Sequence, residues 1–309
     1  MTRRWFGPLL AAFAALALVA AACGEDDGDG GGTDAGGGGT AAEGACASVD
    51  TSAGDLLAEI CNEGVIRVST DPAYPPQSFL NEETGEYEGF DIDVATEIAD
   101  RLGVEVQWEA PQWDLITAGG WNDRWDMSVG SMTVTAERAD VLFFTPAYYF
   151  TPAAVAVHAD NTTIADLETD LDGLKIGVCG ACTYDFFLQK TLAIPGYTFD
   201  FVIDDAEIAT YDTDSTAIQD LTLGDGERLD AVISAEPTLQ GAIDKGKPIK
   251  VVGDPIFYEP LGVAFDRNAP LDATSLFEAV SSIVDEMHAD GTLTELSMTW
   301  YGADLTVTT

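Results

Sequence analysis

Positive charge is scarce in this chain. Only 13 lysines and arginines stand against 54 aspartates and glutamates, a formal net charge of -41 over 309 residues. So acidic a surface repels phosphate backbones and anionic headgroups, which excludes nucleic acid and anionic lipid as partners of the folded part. We read the excess acid as a strongly solvated surface that resists aggregation. The sharper alternative, steering of cationic solutes, would be screened by salt. Histidine is scarcer still: the two present, His158 and His288, are not spaced to join a Cys-x-x-Cys as zinc ligands. A Gly-x-Ser-x-Gly elbow and a Ser-His-Asp set are missing. So is a G-x-x-x-x-G-K-[ST] phosphate loop. No cofactor or metal is expected. What is present is ample apolar material: 46% of residues are hydrophobic, enough for one large or two medium α/β domains with real cores.

The N-terminus reads as an export signal. Arg3 and Arg4 precede a short apolar run over residues 9–22, too short for a comfortable membrane span. Ala20-Ala21-Ala22 then meets Cys23-Gly24, which resembles the lipobox of bacterial lipoproteins, where the cysteine carries the lipid. The small residue Ala20 stands where leucine is usual. Thr2-Arg3-Arg4-Trp5-Phe6 also loosely resembles a twin-arginine signal. Residues 25–44 are Gly, Asp, Thr and Ala with almost nothing to bury, the composition of a flexible acidic tether. An anchor at Cys23 followed by a tether suits a protein held near a membrane and free to swing.

With Cys23 lipidated, four cysteines remain, Cys46, Cys61, Cys179 and Cys182, an even number for an oxidising compartment. A bridge between Cys46 and Cys61 would staple the N-terminal extension to the first lobe, for about 3 kcal/mol of loop entropy. Cys179-Gly180-Ala181-Cys182 lies between a strand pattern and a helix pattern. That is also the setting of thioredoxin-type redox sites, but the exported context favours a closed structural disulfide.

From Val65 onward strand and helix patterns alternate without an internal repeat. Strands are expected over 65–68, 104–108, 127–129, 174–178, 229–234 and 249–252. Helices are expected over 53–60, 91–102, 113–118, 183–192, 215–223, 276–287 and 292–301. Alternation with short loops implies α/β layers around mostly parallel sheets. Two stretches break the rhythm. Residues 150–157 and 255–263 are extended, apolar and interrupted by proline. Such a pair fits a chain that leaves one lobe, builds a second and returns, with a ligand cleft between them.

Three segments carry a family resemblance: Ser69-Thr70-Asp71-Pro72-Ala73-Tyr74-Pro75-Pro76-Gln77-Ser78-Phe79, Gly89-Phe90-Asp91-Ile92-Asp93-Val94-Ala95, and Ser131-Met132-Thr133-Val134-Thr135-Ala136-Glu137-Arg138, followed by Phe144-Thr145-Pro146-Ala147-Tyr148-Tyr149. In order and spacing they resemble the bacterial extracellular solute-binding proteins of family 3, the polar amino acid receptors of ABC importers. The likeness runs from about Val65 to Tyr301 and includes 167–183 and 229–237. It implies a two-lobed, periplasmic-binding-protein-like clamshell of type II with two crossover hinge strands. The expected layout is a signal peptide at 1–22, the lipidated cysteine, tether and stapled extension at 23–64, the first part of lobe 1 at 65–153, lobe 2 at 154–254, and the return to lobe 1 with C-terminal helices at 255–309.

The resemblance also assigns a site. Thr135 is a good N-cap, which places Arg138 in the first helical turn, where a cation opposes the helix dipole. Its planar guanidinium suits bidentate capture of a carboxylate, and the matching family arginine holds the ligand's α-carboxylate. The other reading is a surface ion pair. Ser131 and Thr133 match ligand-contacting positions, or serve in turns and caps. Thr183 starts a helix, where free N–H groups favour an anion. Tyr74 and Trp113 match aromatic walls of the ligand side chain, or pack in the core. Asp71 meets a polar ligand group or caps its loop. One departure stands out: where the family usually has an aspartate for the ligand's α-amino group, this chain has Ala235, with Glu236 next door as the candidate substitute.

The expected function is an extracytoplasmic receptor for a small carboxylate-bearing solute, with an amino acid as the first choice, delivered to an ABC permease. The expected mechanism is a hinged clamshell whose closed form a partner recognises. Two alternatives share the fold: an enzyme like the cyclohexadienyl dehydratases, and a ligand sensor for a membrane receptor.

Overall fold

The structure, a computed structural model, describes residues 44–307. The export signal, Cys23 and nearly all of the tether lie outside the described residues.

After a first helix, α1 (Leu56–Glu63), strand β1 (Val65–Ser69) enters the sheet. A small antiparallel flap follows, made of β2 (Ala73–Tyr74), β3 (Ser78–Leu80) and β4 (Tyr87–Glu88). Helix α2 (Phe90–Leu102) then leads to β5 (Glu105–Glu109), α3 (Trp113–Thr117) and β6 (Met127–Thr133). Both β5 and β6 pair with β1 in parallel, Val65 opposite Glu105 and Val68 opposite Met127. Helix α4 (Ala136–Val141) and β7 (Leu142–Phe144) complete this part of the first lobe.

The chain then crosses on β8 (Tyr149–His158). Three further strands, β9 (Leu174–Cys179), β10 (Ala206–Tyr211) and β11 (Ala231–Ala235), form the second lobe with helices α5 (Thr183–Leu188), α6 (Asp214–Leu221) and α7 (Glu236–Asp244). The return is a single 18-residue strand, β12 (Ile249–Asp266), before α8 (Thr274–Ala289) and α9 (Thr292–Tyr301).

All the main strands share one sheet in the order β10-β9-β11-β8-β12-β6-β1-β5, with β7 on β12. The expectation of mostly parallel pairing is only half met. Pairs within each lobe are parallel, whereas β8 and β12 pair antiparallel with one another and with their neighbours. The reason is topological: an outgoing and a returning crossing run in opposite directions. The proline-bearing stretches therefore become the two strands that join the lobes. Tyr258 faces Pro152 and Pro260 faces Phe150, and Pro255 falls in a register shift between Val252 and Phe257. An irregularity there tolerates a residue that cannot donate to the ladder.

Each lobe has its own core. In the first, Ile66 and Val68 of β1, Ile98 and Leu102 of α2, and Leu276, Val280 and Val284 of α8 are buried together. In the second, Ile176, Val178, Ile233 and Phe187 lie on one face of the sheet, and Ala217, Leu221, Val232 and Leu239 on the other. Each fully buried aliphatic side chain contributes roughly 1.5–3 kcal/mol. Gly89, the cap of α2, has φ 132°, and a Cβ there would lie 2.2 Å from the Gln77 carbonyl oxygen. This close approach explains why glycine opens the Gly-Phe-Asp segment. Helix α5 is shorter than its expected 183–192, ending at Leu188. Both disulfides are closed, Cys46–Cys61 and Cys179–Cys182.

Candidate ligand-binding cleft

Between the lobes lies a cavity of about 40 Å³, and next to it a second of about 90 Å³. Asp71, Trp113, Asp212 and Thr213 line both. The inner cavity is lined from the first lobe by Tyr74, Ser131, Thr133 and Arg138, and from the second by Cys182, Thr183, Tyr184 and Asp214. Thr151 and Glu259, opposite one another on the two joining strands, form its back wall.

Arg138 sits where the sequence places it. Thr135 Oγ1 accepts the Arg138 backbone N–H at 3.2 Å and caps α4. The side chain is 4% exposed, so it is not half of a surface ion pair. Its guanidinium donates to the Thr133 carbonyl oxygen and, across the cleft, to the Ala181 carbonyl oxygen, each at 3.1 Å. Burial lowers its pKa to about 10, partly opposed by Glu259, and the group stays charged at neutral pH. Trp113 lies under it, ring centroid 5.1 Å from Cζ, and donates its Nε1–H to Ala181 O at 3.4 Å. Trp113 thus orients the arginine as well as lining the cavity.

Thr133 and Thr183 face each other across the cleft, and both hydroxyls donate to Glu259 Oε1. Tyr184 donates its hydroxyl to Glu259 Oε2 at 2.8 Å. Glu259 is 2% exposed. Burial pushes its carboxyl up, while these three hydroxyls and Arg138 hold it down. Sequence reasoning missed this residue, since Tyr258-Glu259-Pro260 reads as part of an apolar crossing. The only signal was an acidic side chain amid residues destined for burial.

Ser131 lines the cavity with φ 54°, a left-handed conformation uncommon for a residue other than glycine. Its hydroxyl donates to Asp91 Oδ2 at 2.6 Å, and Tyr148 donates to Asp91 Oδ1 at 2.7 Å. Asp91 is fully buried, and burial raises its pKa to about 7 against these two donors. Asp71 Oδ1 accepts from the Ala73 N–H at 2.8 Å. It therefore closes its own loop while lining the cleft, and burial pushes its carboxyl up. Tyr74 and Tyr184 meet across the cleft, hydroxyl to hydroxyl at 3.3 Å. Desolvation holds both phenols well above their usual range, so they are neutral donors.

One expectation needs correction. Glu236 begins α7 and does not line the cavity, so it is not the stand-in for the carboxylate absent at Ala235. Cys179 and Cys182 form the closed structural disulfide that the exported context favoured. Their sulfurs approach the Asp214 carboxylate. The acids that do line the inner cavity are Asp71, Asp212, Asp214 and Glu259. Asp212 and Asp214 were missed because the polar run Asp212-Thr213-Asp214 reads as a helix cap, and Thr213 does cap α6.

Comparison with known proteins places this cleft. The profile of the bacterial extracellular solute-binding proteins, family 3, matches residues 66–303. The L-cystine-binding protein TcyJ of Escherichia coli is 29% identical over 81% of this chain and 88% of its own length. The L-arginine-binding protein of Pseudomonas aeruginosa is 28% identical over 78% of this chain and 89% of its own. Among solved structures, a mutant of ArgBP from T. maritima superposes with TM-score 0.68 at 26% identity, covering 80% of this chain and 99% of that one. The ancestral amino acid-binding protein AncCDT-1, a precursor of cyclohexadienyl dehydratase, superposes with TM-score 0.67 at 28% identity, covering 79% and 99%. Two lobes joined by paired strands, a buried arginine in the cleft between them and the family match agree: the chain belongs to the bacterial extracellular solute-binding proteins, family 3.

Proposed function

We propose that this protein is an extracytoplasmic receptor that captures an amino acid between its lobes and delivers it to an ABC importer. The observation that carries the reading is Arg138, a buried guanidinium lining the interlobe cavity. Its two hydrogen bonds, to the Thr133 and Ala181 carbonyl oxygens, leave further N–H donors for a ligand carboxylate. The Thr133 and Thr183 hydroxyls flank the same place. Relatives named for binding cystine, arginine and histidine support an amino acid as the solute.

The inner cavity, about 40 Å³, has room for only a few water molecules, so a solute reaches it when the lobes part. The contacts that break in opening include Arg138 and Trp113 to Ala181, the Ala136 N–H to the Ala193 carbonyl oxygen, Tyr74 to Tyr184, Ser215 to Ala73, Thr238 to Gln77, and Lys245 over the Phe79 ring. Strands β8 and β12 are the flexing link. Lipid anchoring at Cys23 belongs to this proposal, and would hold the receptor beside its permease. Among the described residues no helix is long and apolar enough to cross a membrane.

A binding role is favoured over turnover by the cleft's make-up. Among the described residues it holds one arginine, hydroxyls and carboxylates, with no histidine and no free thiol. The test is calorimetry on Arg138→Ala with any amino acid that raises the Tm of the full chain. Loss of a charged, bidentate partner should weaken binding by at least about 30-fold. Affinity within about threefold of wild type would remove Arg138 from the site. Conversion of that amino acid into another compound would favour the enzyme reading instead.

A further inference from the structure

Asp214 is the first residue of α6 and only 6% exposed, yet its Oδ1 has no hydrogen-bond partner. Ser234 approaches the carboxyl closely enough to lower its pKa, yet neither Ser234 Oγ nor Asp214 Oδ1 reaches hydrogen-bonding geometry. A buried carboxylate oxygen left unpaired is strongly unfavourable when charged. Such an atom needs a partner the folded chain does not supply, and this one lines the interlobe cavity. Its acidic neighbours are placed differently. Glu259 has three hydroxyl donors, and Asp71 has the Ala73 N–H.

The charge balance points the same way. Among the described residues, Asp71, Asp212, Asp214 and Glu259 share the inner cavity with a single cation, Arg138. A ligand carboxylate alone would bring a fifth acidic group beside one guanidinium. A zwitterion would bring its own ammonium. Asp214 and Arg138 line the same cavity. The Asp214 carboxylate lies within 4.8 Å of the Cys179 and Cys182 sulfurs, in the loop whose Ala181 carbonyl Arg138 binds. We propose that Asp214 is the counter-charge for the α-ammonium of the captured amino acid, a role that the fully buried Ala235 cannot fill. This rests on the receptor reading above and specifies its second pole: carboxylate toward Arg138, ammonium toward Asp214. The solute's side chain is then directed to the outer cavity, bounded by Asp71, Asp212 and Trp113.

The test uses the full chain and two probes. One is whichever of the common amino acids raises Tm most. The other is its analogue with hydrogen in place of the α-amino group. Wild type should bind the amino acid at least about 30-fold more tightly than the analogue at pH 8, the scale of a charged hydrogen bond. In Asp214→Asn this preference should collapse to about threefold or less, through weaker amino acid binding and unchanged analogue binding. A merely structural role for Asp214 would weaken both probes alike and leave the ratio intact, which overturns the proposal.

A wild-type measurement keeps the idea testable if the variant fails to fold. Burial, with Asp71 and Glu259 adding repulsion, raises the Asp214 pKa to about 7. The preference should therefore fall up to about tenfold per pH unit below 7, as Asp214 takes a proton while the ammonium stays charged. Asp71, Asp212, Glu259, Arg138, Tyr74 and Tyr184 face the same cavity. Their influence on carboxylate binding cancels in the ratio, and Asp71→Asn and Glu259→Gln, which keep Asp214, should retain the fall in the ratio below pH 7. A ratio that stays constant from pH 5 to 8 overturns the proposal. Stabilisation by no amino acid at all overturns the receptor reading together with it. Stabilisation with an unchanged ratio overturns this inference alone.

Discussion

Asp91 illustrates how one residue couples the cleft to stability. It is fully buried, takes hydrogen bonds from Ser131 and Tyr148, and is repelled by Asp71, with burial the largest influence. Its pKa of about 7 is raised above the usual 3.8. The folded state therefore holds this proton more tightly than the unfolded chain does. The stabilising effect is complete below about pH 4 and is lost as pH rises toward 7. Such a displacement is worth at most roughly 4 kcal/mol. Asp91→Asn cannot ionise, so Tm should fall less between pH 4.5 and 7.5 than in wild type. Parallel Tm curves for the two proteins would refute this. At this scale the sequence was legible where a motif named the residue: Arg138, Thr133, Thr183, Tyr74, Asp71, Ser131 and Trp113 all line the cavity. Glu259, Asp212 and Asp214 were not, because nothing local separates a buried carboxylate from a solvated one in a chain with 54 acids.

Secondary-structure elements were read best where a local signal was complete. Helix α2 has apolar residues at helical spacing and Gly103 at φ 85° closing it, and it ends at Leu102 as expected. Helix α4 begins behind the Thr135 cap. Strand β12 was read in pieces, because Pro255 and Pro260 interrupt its pattern and only pairing with β8 and β6 unites them. The Cys46–Cys61 bridge ties the segment before β1 to α1, with Cys46 and Leu56 in the same core as Leu102. Closing a 15-residue separation should contribute about 3 kcal/mol. The double variant Cys46→Ser, Cys61→Ser should lose about that much in urea unfolding with the cleft unaltered. An unchanged unfolding midpoint would mean that packing alone holds the extension.

The whole molecule is dominated by its charge. Among the described residues the few ion pairs are mostly exposed, Arg67–Asp126 being the best buried. Uncompensated acid repels itself and opposes compaction. Raising NaCl from about 0.1 to about 1 M shortens the screening length from about 10 to about 3 Å. Tm should then rise by several degrees, and a flat or falling Tm would show that the surface repulsion is already relieved. The same carboxylates discourage anionic partners.

By itself the sequence determined the class of the molecule. Alternating strand and helix patterns, two proline-marked crossings, paired cysteines and an arginine three residues after a capping threonine are local facts, set by hydrophobic period, backbone restriction and hydrogen-bond chemistry. Only the tertiary structure decided which acids face Arg138. Asp71, Asp214 and Glu259 are separated by long stretches of chain, and what makes them a site is desolvation in one cavity. Burial is a property of the assembled lobes, and it raises the pKa of three of many carboxylates, of which Asp214 alone keeps a buried oxygen without a hydrogen bond.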